Sequence, residues 1–100
     1  MDEKTIRVTA VFIQEFYELA KRFKMELNVP EGTTIRDLVE TIDENHVPGL
    51  KEKILDESGE LRWPVEIAVN GRRIDFLEGL NTELKDGDRI LFSPRAFFVV

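Results

Sequence analysis

Apolar and polar residues alternate over Thr5 to Ile13 (TIRVTAVFI), so that Ile6, Val8, Ala10 and Phe12 share one face. Successive side chains of a strand point to opposite faces, and this segment therefore reads as a half-buried β-strand with Val11 and Ile13 on the other side. FYELAKRF follows and reads as a polar-rich connection. Phe23 to Val29 (FKMELNV) alternates again, with Phe23, Met25, Leu27 and Val29 in phase. Two neighbouring strands with a short connection predict an antiparallel hairpin.

Pro30-Glu31-Gly32 ends the second strand, and the period then changes. In TTIRDLVETIDE, Ile35, Leu38, Val39 and Ile42 fall at i, i+3, i+4 and i+7, one apolar stripe of a helix. Thr34 is placed to cap it, with Asp37 in the capping-box position. A short second helix is expected from about Pro48, carrying Leu50, Ile54 and Leu55 and ending at Ser58-Gly59. Pro64 to Asn70 (PVEIAVN) puts Val65, Ile67 and Val69 on one face of a third strand. Asn70-Gly71 signals a type I′ turn, whose two central residues need positive φ. Arg72-Arg73-Ile74 then reads as a short return strand, Asp86-Gly87 as a turn, and Arg89 to Ser93 (RILFS) as the last strand.

A hairpin, a helix across one face and then further strands predict an α+β fold of the ubiquitin-like β-grasp type. Its sheet is mixed, of four to five strands, with one main helix and a second short one. One hundred residues support one domain. We assign it to residues 1–94, followed by an apolar C-terminal tail at 95–100.

Composition narrows the chemistry. The absence of cysteine excludes disulfides, Cys-ligated metals and a Cys nucleophile. The charged N-terminus MDEKTIRV has no apolar leader, which makes the cytoplasm the expected compartment. Apolar runs stay far below the roughly 20 residues of a membrane span. Net charge is −6, and the clusters Lys21-Arg22 with Lys24 and Arg72-Arg73 read as solvated turn residues, so no nucleic-acid partner is expected. From net charge alone, the expected partner surface is a basic protein.

The ordered set VPEGTTIRDLVETI, VNG, GLNTELKDGD and a final strand ending in Pro94 resembles the MoaD/ThiS family of sulfur-carrier proteins, in particular the longer forms of archaea and some bacteria. Tyr17 to Ala20 (YELA) resembles that family's first loop. The likeness runs from about Ile6 to Pro94. It implies a carrier rather than an enzyme, with no cofactor or metal of its own. In that family an adenylyltransferase activates a terminal Gly-Gly carboxylate, and sulfur replaces one oxygen. In the MoaD branch the sulfur passes to molybdopterin within a complex with MoaE. This chain departs where that chemistry sits. After the last strand the family reads P-x-x-G-G, and here the residues are Pro94-Arg95-Ala96-Phe97-Phe98, then Val99-Val100. No Gly-Gly pair occurs in the chain. The expectation is therefore a MoaD/ThiS-like protein of molybdopterin, tungstopterin or sulfur-transfer metabolism that acts by protein–protein binding and is not thiocarboxylated. The alternatives are a genuine carrier activated at an atypical C-terminus, and a regulatory ubiquitin-like interaction domain. The partners implied are an adenylyltransferase-like or MoaE-like protein, or a second copy joined through the tail.

Two binding elements follow. The first is the tail Arg95, Ala96, Phe97, Phe98, Val99 and Val100. Burying its four large apolar side chains contributes roughly 1.5–3 kcal/mol each, and ordering its backbone costs about 1–2 kcal/mol per residue. These terms nearly cancel, so ordering the tail needs backbone partners as well, such as those of an added strand. Packing on its own sheet, insertion into a partner and disorder are the three open readings. The second element is the outer face of the first and last strands, where Val11, Ile13 and Leu91, with Ala68, form a candidate docking patch. His46 reads as a cap or surface residue, and Asp43/Glu44, Asp56/Glu57 and Asp86/Asp88 as capping or solvated carboxylates. Trp63 reads as a core-edge anchor for the third strand.

Overall fold

A computed structural model describes residues 4–95. The chain runs β1 (Thr5–Phe12), α1 (Glu15–Ala20), β2 (Lys24–Pro30), α2 (Ile35–Asn45), α3 (Leu50–Ile54), β3 (Val65–Val69), β4 (Arg72–Arg73) and β5 (Arg89–Pro94). Two 3-10 turns, Ile74–Phe76 and Gly79–Asn81, join β4 to the last strand. The strands form one mixed sheet in the order β2-β1-β5-β3-β4. β1 pairs antiparallel with β2 and parallel with β5, and β5 pairs antiparallel with β3. This is the ubiquitin-like β-grasp expected from the pattern.

The inward residues of the strands close against α2 and α3. Val8, Ala10, Phe12, Ile90, Phe92 and Ile67 are all at most 1% exposed, as are Ile35, Leu38, Val39 and Ile42 on α2. Phe12 and Phe92, neighbours on parallel strands, stack with centroids 5.5 Å apart. The expected capping box is present, because the Asp37 N–H donates to Thr34 Oγ1 (3.2 Å) and the Thr34 N–H donates to Asp37 Oδ2 (3.1 Å). The same end of α2 is pinned to the segment before β5, where the Ile35 N–H donates to the Thr82 carbonyl and the Leu84 N–H to that of Thr33.

Four local expectations are corrected. Residues 15–20 are a short helix rather than a plain connection, because Phe16 is fully buried and Leu19 and Ala20 pack against the core. Phe23 precedes β2 and is 56% exposed, with its ring edge-on to Tyr17. Its carbonyl still accepts from the Phe12 N–H over 2.9 Å, so the hairpin ladder reaches it while its side chain leaves the core. The short helix ends at Ile54 rather than at Ser58-Gly59, and Leu55 to Leu61 form a turn closed by a single bridge. Trp63 is not a core anchor. It is 63% exposed at the entrance to β3.

Candidate functional site

The strand registers place five residues in one row across the face opposite α2 and α3. Lys24 pairs with Val11, Val11 with Leu91, Leu91 with Ala68, and Ala68 with Arg73. Three of the four candidate patch residues are thus immediate neighbours. Ile13 lies just beyond β1, where its N–H donates to the Phe92 carbonyl over 3.2 Å. The face is not a broad greasy surface. Val11 and Ala68 are each 6% exposed and form a low apolar floor outside the main core, while Leu91 and Ile13 are half-buried.

Charge frames this floor. Lys24 and Arg73 end the row, and Arg89, exposed, pairs with Thr9 two residues before Val11 on β1. In the sequence Lys24 and Arg73 read as solvated turn residues and Arg89 as the first residue of the last strand. The signal that identifies them is parity: Arg89 is two residues before Leu91, and Lys24 is in phase with Glu26 and Asn28, away from Met25 and Leu27.

The last described residue is tied to the same face. The Arg95 N–H donates to the Pro64 carbonyl over 2.6 Å, continuing the β3–β5 ladder. Its Nη2 donates to Asp75 Oδ2 (3.3 Å), and its guanidinium lies 5.8 Å from the centre of the Trp63 ring. Asp75 also meets Arg73 at 3.9 Å, and the Arg73 guanidinium sits over the exposed Phe76 ring at 5.0 Å. Arg73 belongs to the row and Arg95 to the root of the C-terminal segment, so Asp75 links the two. The other candidate tail residues, Ala96 to Val100, lie outside the described residues.

The remaining candidates serve the fold. His46 is an exposed C-cap of α2. Asp43 Oδ1 accepts from the N–H groups of Gly49 and Lys51 at the start of α3, each at 3.0 Å. Asp56 Oδ1 closes its own turn through Ser58 and Glu60. An open groove of about 690 Å³ lies between α2, α3 and the 55–62 turn. Its cations are occupied: Arg36 donates to the Gly59 carbonyl, Arg62 to that of Glu52, and Lys51 pairs with Glu40. Among the described residues no cluster of His, Cys, Asp or Glu could hold a metal ion, and no helix is long and apolar enough to cross a membrane.

A β-grasp with parallel β1 and β5 and with Arg95, at the end of the last strand, tied beside the outer face defines a ubiquitin-like protein. The chain belongs to the ThiS family, whose model matches residues 11–94. It is 28% identical over 83 residues to small archaeal modifier protein 3 of Haloferax volcanii, covering 83% of this chain and 88% of that one. It is 46% identical over 43 residues to a candidate sulfur carrier protein of Archaeoglobus fulgidus. That match covers 43% of this chain and about half, 49%, of its relative. Among solved structures it is similar to a candidate molybdopterin converting factor subunit 1 of Pyrococcus furiosus, with a TM-score of 0.70 and 31% identity, covering 91% of this chain and 99% of that one. The family is thus one of small ubiquitin-like sulfur carriers and modifiers.

Proposed function

We propose that this protein works by docking. Its outer sheet face seats on an adenylyltransferase-like or MoaE-like protein of molybdopterin, tungstopterin or sulfur-transfer metabolism, and residues 95–100 are delivered into that partner. The carrying observation is the link Arg73–Asp75–Arg95, which joins the row containing Val11, Leu91 and Ala68 to the start of the tail. A partner covering the face would meet Arg95, the root of the tail, at a fixed place. In the same proposal, the chain is not thiocarboxylated. Phe97 and Phe98 occupy the positions where the family resemblance expects two glycines. Glycine lets a tail thread a narrow channel and leaves its carboxylate open, whereas bulky side chains do neither.

The second reading, a working sulfur carrier, is favoured by the nature of the family itself. Intact mass of the protein isolated from its own cells, together with whatever accompanies it, separates the two. An unmodified chain held by a partner supports docking without sulfur transfer. A chain with sulfur in place of a terminal oxygen overturns that reading and establishes the carrier.

A further inference from the structure

The chain as a whole is acidic, with 20 Asp and Glu against 14 Lys and Arg. Its outer sheet face is not. Lys24 and Arg73 bracket the apolar row, Arg89 stands beside it, and Arg95 follows at the tail root. The carboxylates on this face are largely engaged. Glu26 is held by Arg7 at 2.7 Å, and Asp75 lies between Arg73 and Arg95. Glu66, in phase with Ala68 and opposite Ser93, is half-buried and has no ion-pair partner among the described residues, so the face keeps one unpaired carboxylate against Lys24 and Arg89. Among the described residues neither Lys24 nor Arg89 has an ion-pair partner. The acidic residues concentrate instead on α2, α3 and the loops of the other side, where they cap helices and close turns. The molecule is therefore polarised across its sheet.

We infer that the partner surface that receives this face has an apolar centre rimmed by carboxylates, the opposite of what the net charge suggests. The inference rests on the docking reading above and adds the chemistry of the occupant. Charge complementarity at a rim steers encounter and fixes register, and a like-charged basic surface would be repelled by Lys24 and Arg89. The −6 net charge then acts at long range as a selectivity filter. An acidic partner is disfavoured in every orientation except the one that presents this face.

The test uses two double substitutions of equal net charge. K24E/R89E reverses the outer face, and K53E/K85E places the same change on α3 and in the loop before β5. The first probe is hexaglutamate, titrated into the 15N-labelled protein at low salt. The expected result is amide shifts at Val11, Leu91 and Ala68 that vanish in K24E/R89E and persist in K53E/K85E. Shifts confined to the helical side, or surviving K24E/R89E, overturn the inference. The second measurement is affinity for the adenylyltransferase-like protein of the same genome. K24E/R89E is expected to weaken it roughly tenfold or more, with K53E/K85E within about twofold. Equal weakening by both doubles reduces the effect to net charge and overturns the inference. The neutral variant L91N separates the two levels. If L91N abolishes docking while K24E/R89E leaves it unchanged, the face docks but the acidic rim is wrong. If L91N leaves docking intact, the docking reading itself fails.

Discussion

Arg95 and Asp75 meet at 3.3 Å, and this contact ties the start of the C-terminal segment to the turn after β4. The side chains are 26% and 45% exposed, so the pair contributes only about 0.2–1 kcal/mol to global stability. Its consequence is local. The Arg95 N–H donates to the Pro64 carbonyl, and the Asp75 ion pair and the Trp63 ring face are expected to hold that ladder bond against fraying. Asp75→Asn is expected to leave the unfolding midpoint nearly unchanged and to raise hydrogen exchange at the Arg95 amide. Exchange at Arg95 equal to that of the unsubstituted protein would show that the ladder alone sets the tail root.

A second contact carries more of the fold. Asn70 Nδ2 donates to Asp88 Oδ1 at 2.8 Å, Asn70 Oδ1 accepts from the Arg89 N–H, and Asp88 Oδ2 accepts from the Lys85 N–H. Asn70 also holds a left-handed backbone, φ 52°, in the β3–β4 turn with Gly71 at φ 87°. Asp88 is 9% exposed, so removing its carboxylate strands an amide and costs about 1–3 kcal/mol. Asn70→Ala loses the same link and adds about 1 kcal/mol of left-handed strain, which Asn70→Gly avoids. In urea unfolding, N70G should lie between wild type and N70A, and N70A/D88A should cost less than the two singles added together. Additive costs would mean that the two side chains act independently.

Neighbouring residues on β5 should separate folding from docking. Phe92 is fully buried against Phe12, and Leu91 points the other way. Phe92→Ala is expected to cost about 3–5 kcal/mol. Leu91→Asn, half-buried and outside the core, should cost about 1 kcal/mol while removing partner binding. Chemical denaturation and a binding assay on the same two proteins check the pair. A Leu91→Asn protein that unfolds as readily as Phe92→Ala would place Leu91 in the core and remove it from the docking face.

Much of this fold was legible because local and long-range signals agree. The period-two segments around Val8 and Leu27, the helical stripe from Ile35 to Ile42, the Thr34–Asp37 capping box and the Asn70-Gly71 turn each name one element. The helix at 15–20 was missed because it is less than two turns long and rich in polar residues. Its Phe16, Leu19 and Ala20 nevertheless keep i, i+3, i+4 spacing, which was the available signal. Trp63 misled because a large aromatic before Pro64 looks buried, while its side of the chain depends on Arg95, 32 positions later. The charge of the outer face was hidden for a related reason. Net charge averages over the molecule, and only the strand registers reveal that Lys24, Arg73 and Arg89 converge on Leu91.

If the two positions after Ala96 decide whether a carboxylate can be activated, substitution there should change activation and leave docking alone. A variant with Phe97→Gly and Phe98→Gly that stops after residue 98 has a Gly-Gly terminus at the family's spacing from Pro94. The docking face and the Arg95 anchor are untouched by that change. With the adenylyltransferase-like protein of the same genome and ATP, the variant is expected to support pyrophosphate exchange, and the unsubstituted chain is not. Both should bind with similar affinity, since the sheet face is common to them. Activation of both would make bulky side chains no obstacle and establish this protein as a working sulfur carrier. Activation of neither, with binding retained, would mean that the partner recognises the domain without processing its tail.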